Sequence, residues 1–360
     1  MSIVRPASAS CWVRAGFIYA DPMQPSKPFL TIDEQVALLR ARGMRVPDDE
    51  VAAQWLRAVG YYRLSGYWHP FWDRSTRAAV DQFAADTDFD EVVGLYEFDR
   101  HLKNRMLSAI ERIEVAMRSQ VGHTLGRYGP MAHLDAANFD ARFVAKADHM
   151  QWLATAFNRV QRMRSKDPFV EHHFKNYHGR IPIWVLTEVL DFSDLSKIYA
   201  GMHASDKDEI ADWFGVIDTP PATPKRGTSA YRRRQRNKAA SNTGPGHILE
   251  NWLEQLTIVR NICAHHARVW NRTLLPIGTP RLAAMDAFAG LPPEQSGHMY
   301  GAICVSGFLL RTTSPANTWI GQLHELVDRS FRDFRHRTTS EMGFPQQWRD
   351  LPLWSPGAGC

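Results

Sequence analysis

The sequence predicts an all-α protein, a helical bundle with an N-terminal helical extension, and three observations predict it. Apolar residues recur every three or four positions through most of the chain. Runs of alternating polarity bounded by hairpin turns are absent. One segment holds a single apolar stripe for about 40 residues, far longer than any ordinary strand.

Taken in order, residues 1–26 form an extension expected to be disordered, followed by an N-terminal helical region over 27–87 and a bundle over 88–354. "LTIDEQVALLRARGM" begins with Thr31 or Asp33 as N-cap, continues through apolar Val36, Leu38 and Leu39, and stops at Gly43. "DDEVAAQWLRAVG" is a second short helix, ending at Gly60. "YYRLSGYWHPFW" follows, dense in aromatics and interrupted by Gly66 and Pro70. Over 88–129, Leu95, Phe98, Leu102, Met106, Ile110, Ile113 and Met117 make one stripe, and Gly129-Pro130 ends it. At 1.5 Å per residue this helix is about 60 Å long, the spine of a bundle. Further helices are expected over 140–165, 183–202 and 246–270, and a last one over "SPANTWIGQLHELVDRSFRDF". "EHHF" (171–174) reads as a solvated turn.

The 360 residues suffice for one large domain or two ordinary ones, and 44% hydrophobic with 22% charged residues is the composition of a soluble globular protein. No apolar run approaches the roughly 20 residues that cross a bilayer. The first residues carry Arg5, Arg14 and Asp21 and lack the apolar core of a secretory signal, so a cytoplasmic location with no membrane partner is expected. Cys11, Cys263, Cys304 and Cys360 lie far apart with no CxxC pair, which fits a reducing compartment and offers no zinc-knuckle spacing. The basicity is local. Lys225, Arg226, Arg232, Arg233, Arg234, Arg236 and Lys238 lie in an acid-free stretch (219–247) and exceed the whole net charge of +5, so the rest of the chain is slightly acidic. Rich in Pro, Ser, Gly and Arg, that stretch reads as a disordered loop, either a solubilising linker or a contact to phosphate backbones.

The chemistry-bearing segment is "RNICAHHARVWNR" (260–272). On an ideal helix Arg260 and His265 point about 140° apart, so they share one site only if the helix ends or distorts, or if a second chain completes it. Arg260, flanked by Ile258, Val259 and Ile262, needs an anion or a carboxylate. The structural alternative is an arginine paired to an acid, with histidines on a solvated helix end. Adjacent His265 and His266 diverge by about 100° and cannot readily grip one metal ion with Cys263. A Cys263–histidine nucleophile pair two residues apart in one helix is poorly disposed, and Cys263 fits a packing role. Phosphodiester chemistry asks for fewer parts. An imidazole takes a proton from a ribose 2′-OH or gives one to the leaving oxygen, and an arginine fork holds the phosphate. RNA supplies its own nucleophile, so no metal or other cofactor is expected, and Asn261 adds a hydrogen bond. "RSQVGH" repeats the spacing with Arg118 and His123, a secondary candidate whose alternative reading is an exposed helix C-terminus. Trp252 and Trp270 flank the main motif at helical distance and read as packing residues.

Several blocks in order, "KPFLTIDEQVALLRARGM", "YYRLSGYWHPF", "YEFDRHLKNRMLSAIERIEVAMRS", "IPIWVLTEVLDFSDLSKIY", "VRNICAHHARVWNR" and "MGFPQQW", resemble bacterial Abi-family proteins of the AbiD/AbiF type, from Lys27 to Trp348. That family is linked to abortive infection and is similar to the HEPN superfamily, whose ribonucleases carry an arginine followed by four to six residues and a histidine. The resemblance implies a HEPN-like helical bundle and metal-independent RNA cleavage leaving a 2′,3′-cyclic phosphate. Arg260, Asn261 and His265 map onto the motif, with His266 as an alternative endpoint. It also implies a homodimer whose two motifs face each other, and RNA as partner. A non-catalytic RNA-binding module is the alternative, and a toxin silenced by an antitoxin protein or RNA is a third reading. The 219–247 stretch looks like an insertion relative to the family, and the first 22 residues have no counterpart.

Overall fold

The computed structural model describes residues 28–74, 82–216, 244–277, 288 and 297–354. Among them are thirteen α-helices and no strand. In chain order they are α1 (Ile32–Ala41), α2 (Asp49–Val59), α3 (Tyr61–Trp68), α4 (Phe89–Gly126), α5 (Ala141–Ala145), α6 (Asp148–Met163), α7 (Pro168–Asn176), α8 (Ile183–Val189), α9 (Phe192–Gly201), α10 (Ala204–Trp213), α11 (Pro245–Ala264), α12 (Met299–Thr313) and α13 (Trp319–Asp333). Isolated bridges, such as Arg45 with Asp88, are the only β-type pairings among the described residues.

The spine is α4, 38 residues long. All seven apolar residues of its expected stripe, from Leu95 to Met117, are buried. Helices α3, α8, α9, α11, α12 and α13 pack against it, and the buried side chains form one core running from Val36 to Trp354. Gly122 lets α8 close in on α4. A Cβ there would come within 3.2 Å of Trp184 Cα, so a larger residue would push this crossing apart by a few tenths of an ångström. Thr31 caps α1 in a capping box with Glu34.

Several boundaries differ from the sequence expectation. The helix expected over 140–165 is two. Ala147 takes φ 61 and separates α5 from α6, while Asp140 caps α5 and its N–H donates to Gly201 O at 2.8 Å. The 183–202 helix also divides, because Asp191 restarts the chain as the N-cap of α9 in a capping box with Asp194. "EHHF" is not a turn; it lies inside α7, which Asp167 caps and Pro168 opens. Most of α12 is buried all round, so it shows no amphipathic stripe. The stretch expected to be disordered to His247 is helical from Pro245 onward. Its seven basic residues, Lys225 to Lys238, and the 1–26 extension lie outside the described residues. The largest correction concerns α11, which ends at Ala264 rather than Trp270.

The reason for that early end lies on other elements. Asp99, fully buried on α4, accepts from Val269 N at 3.1 Å and Trp270 N at 2.7 Å, as well as from Tyr67 OH at 2.7 Å and Lys103 Nζ at 3.0 Å. One carboxylate thus holds the chain after α11, the aromatic helix α3 and a buried ammonium. Trp270 and Trp252 are buried, in agreement with a packing role. Asp99→Ala would leave Lys103 charged without a partner and two buried N–H groups without an acceptor. We expect a loss of about 3–5 kcal/mol in urea denaturation; a loss under about 1 kcal/mol would contradict this role for Asp99.

Candidate active site

Arg260 and Asn261 sit on the last turn of α11, both half-buried, and Arg260 Nη1 donates to Asn261 Oδ1 at 3.2 Å. The helix then closes in a Schellman turn: His266 N donates to Cys263 O and Ala267 N to Ile262 O, each at 3.0 Å. His265 is the C-cap. His266 has φ 55 and occupies the left-handed position that glycine usually takes. His265 N still donates to Asn261 O at 3.0 Å, so the chain leaves the helical screw only after His265. Both imidazoles are exposed to solvent, one turn beyond the half-buried guanidinium.

Two contacts from α3 fix this turn. Arg63 Nη1 donates to His266 O at 2.6 Å, and Arg268 Nη1 donates to Gly66 O. The aromatic segment therefore serves the site as a buttress: Leu64, Tyr67, Trp68 and Phe71 are buried, and Tyr62 alone of its aromatics stands out at 92% exposure. Arg63 is a site residue that the sequence reading missed, because nothing in "YYRLSG" marks a partner two hundred positions away.

The spine contributes the second missed residue. Glu114 on α4 is half-buried and pairs with Arg118 at 2.6 Å. Burial raises its carboxyl above the usual range, and the charges of Arg118 and Arg260 offset only part of that rise. Of the two arginines, Arg118 is the one ion-paired to it. An i,i+4 Glu–Arg pair was the sequence signal for it. Arg118 also donates to Leu190 O at 3.0 Å, satisfying a carbonyl at the end of α8. It is committed on both sides. His123 is exposed and shares with Arg118 the wall of a ≈ 590 Å³ groove between α4 and α8.

Cys263 is buried beneath the turn, and burial, with Asp99 nearby, pushes its thiol up to about 12. A thiol held that far from ionisation packs and does not attack. Among the described residues no group of three or more His, Cys, Asp or Glu side chains is placed to hold a metal ion, and no helix is long and apolar enough to cross a membrane.

Fold and site together define an all-α protein with an arginine, an asparagine and two histidines presented at one helix end. The Abi-like protein family matches residues 54–271, well over half of the 360, and the chain belongs to that family. The match runs from inside α2 to just past the Asp99-bound segment, so it takes in α3, the spine and the motif turn. Membership ties the chain to abortive infection, a phage defence. No curated protein and no solved structure matches it.

The left-handed His266 generates a prediction of its own. His266→Gly should stabilise the fold by about 0.5–1 kcal/mol, since it relieves a non-glycine φ near +55° at the cost of some backbone entropy. Urea denaturation measures it, and a destabilised variant would contradict strain at this position.

Proposed function

We propose that this chain is a HEPN-type, metal-independent endoribonuclease acting in phage defence or as a toxin. The observation that carries the reading is the close of α11, which leaves Arg260 and Asn261 on the last turn and His265 and His266 exposed beyond it. In this reading Arg260 grips the scissile phosphate and offsets charge building on its oxygens. Asn261, bonded to the guanidinium at 3.2 Å, orients it. His265 is the general acid or base and His266 assists.

The reaction balances without a cofactor. The ribose 2′-oxygen bonds to phosphorus as its proton passes to an imidazole, and the bond from phosphorus to the 5′-oxygen breaks. A second imidazole protonates that leaving oxygen, giving a 2′,3′-cyclic phosphate and a 5′-hydroxyl. Two proton transfers call for two imidazoles, supplied by His266 or by the His265 of a second copy. In this reading a homodimer brings the His265 of the second copy to the site. In this proposal the Lys225–Lys238 stretch contacts RNA backbone, and an antitoxin protein or RNA is a further partner that restrains the site.

A second reading, RNA binding without cleavage, is favoured by one observation: neither His265 nor His266 has a hydrogen-bond partner for its ring among the described residues. An imidazole without an orienting group is a poor general base until something orders it. Purified wild-type, His265→Ala and Arg260→Ala proteins separate the two readings. We expect His265→Ala to lose cleavage by at least about 100-fold while its RNA affinity stays within about twofold, and Arg260→Ala to lose both activity and affinity. Unchanged cleavage by both variants would refute the nuclease reading.

A further inference from the structure

Where the chain continues past the motif turn, at Arg268 and Asn271, lies a second concave site that the proposed chemistry does not use. It is a ≈ 530 Å³ pocket walled by His69, Trp72, Arg74, Arg268, Asn271, Arg337 and Glu341, a volume within the usual range for small-ligand sites. Three guanidiniums from three separate segments meet there, against one carboxylate. That carboxylate is already engaged: Glu341 accepts from Arg337 Nη1 at 2.9 Å and from Thr338 N at 3.1 Å.

Arg337 has Glu341 as its counter-charge, and the other two guanidiniums have none among the described residues. Arg74 is exposed and makes no ion pair or hydrogen bond among the described residues. Arg268 spends one nitrogen on Gly66 O, a neutral acceptor. Arg337 stacks over Phe71 at 4.5 Å, and its Nε is buried without a partner. Asn271 Oδ1 is likewise buried without a donor. Grouped guanidiniums in a concave site are costly unless an anion sits among them, and planar forks match phosphate oxygens better than any other common anion. The buried Asn271 Oδ1 beside them is free to accept a hydrogen bond from a hydroxyl.

We propose that this pocket binds a ribose phosphate, with the phosphate held by Arg74, Arg268 and Arg337 and a ribose hydroxyl donating to Asn271 Oδ1. The ligand is a free nucleotide or one nucleotide of an RNA chain. The site is independent of the cleavage chemistry, so it is tested in the full-length His265→Ala protein. Calorimetry with AMP and with adenosine, and anisotropy with a fluorescent oligoribonucleotide, are run on that protein with and without Arg74→Glu. Arg57→Glu, at another exposed arginine on α2, is the charge control, and thermal melts check that both variants stay folded.

The expected result is binding of AMP but not adenosine, weakened about tenfold or more by Arg74→Glu and unchanged by Arg57→Glu. AMP binding alone identifies a free nucleotide. Oligonucleotide binding without AMP binding, with the same dependence on Arg74, identifies a nucleotide within a chain. Equal losses from the two charge reversals, equal binding of AMP and adenosine, or no binding of any probe would overturn the assignment.

Discussion

The buried carboxylate of Asp99 is the constraint on which the rest of the site depends. A fully buried charge is tolerated only when its lone pairs are all engaged and an opposite charge is near. Asp99 meets both conditions through Tyr67, Lys103 and the N–H groups of Val269 and Trp270. Those last two donors can reach α4 only if α11 has already ended and the chain has turned back. The close of α11 at Ala264 is thus dictated by a residue more than 160 positions earlier. The left-handed His266 is the local consequence, a strained position kept because the tertiary bonds around it outweigh the strain.

The same constraint sorts the polar residues around the turn into roles. Arg63 and Arg268 hold backbone carbonyls on either side of it, Arg118 is taken by Glu114 and Leu190, and Arg260 keeps only its neighbour Asn261 as a hydrogen-bond partner among the described residues. Arg260 and Arg268 are both half-buried, and each makes a single side-chain hydrogen bond among the described residues, to a neutral acceptor. Cys263, beneath the turn with its thiol far from ionisation, belongs to the packing of α11 and not to its chemistry.

Much of the fold was legible because its signals are local. The stripe from Leu95 to Met117 is a matter of spacing, and Thr31 with Glu34 is a capping box readable from four letters. The division of the 183–202 helix was legible too, since Asp191 and Asp194 have the same box spacing, but the apolar residues around them read as one continuous helix. Helix α7 carried a start signal in Asp167-Pro168 that its histidine pair obscured. What was not legible is non-local. "HHARVW" contains no glycine or proline, so no local cue stops α11 at Ala264; Asp99 and Arg63 stop it from elsewhere. Arg260, Asn261, His265 and His266 were visible as a group from spacing, whereas the turn that ends α11 beside them was not.

The most direct test of the central claim, that this turn cuts RNA by 2′-hydroxyl attack, is end-group analysis of RNA incubated with the purified wild-type protein in excess chelator. The account predicts fragments ending in 2′,3′-cyclic phosphate and beginning with 5′-hydroxyl. Fragments beginning with 5′-phosphate, or cleavage that disappears on chelation and returns with a divalent ion, would contradict it.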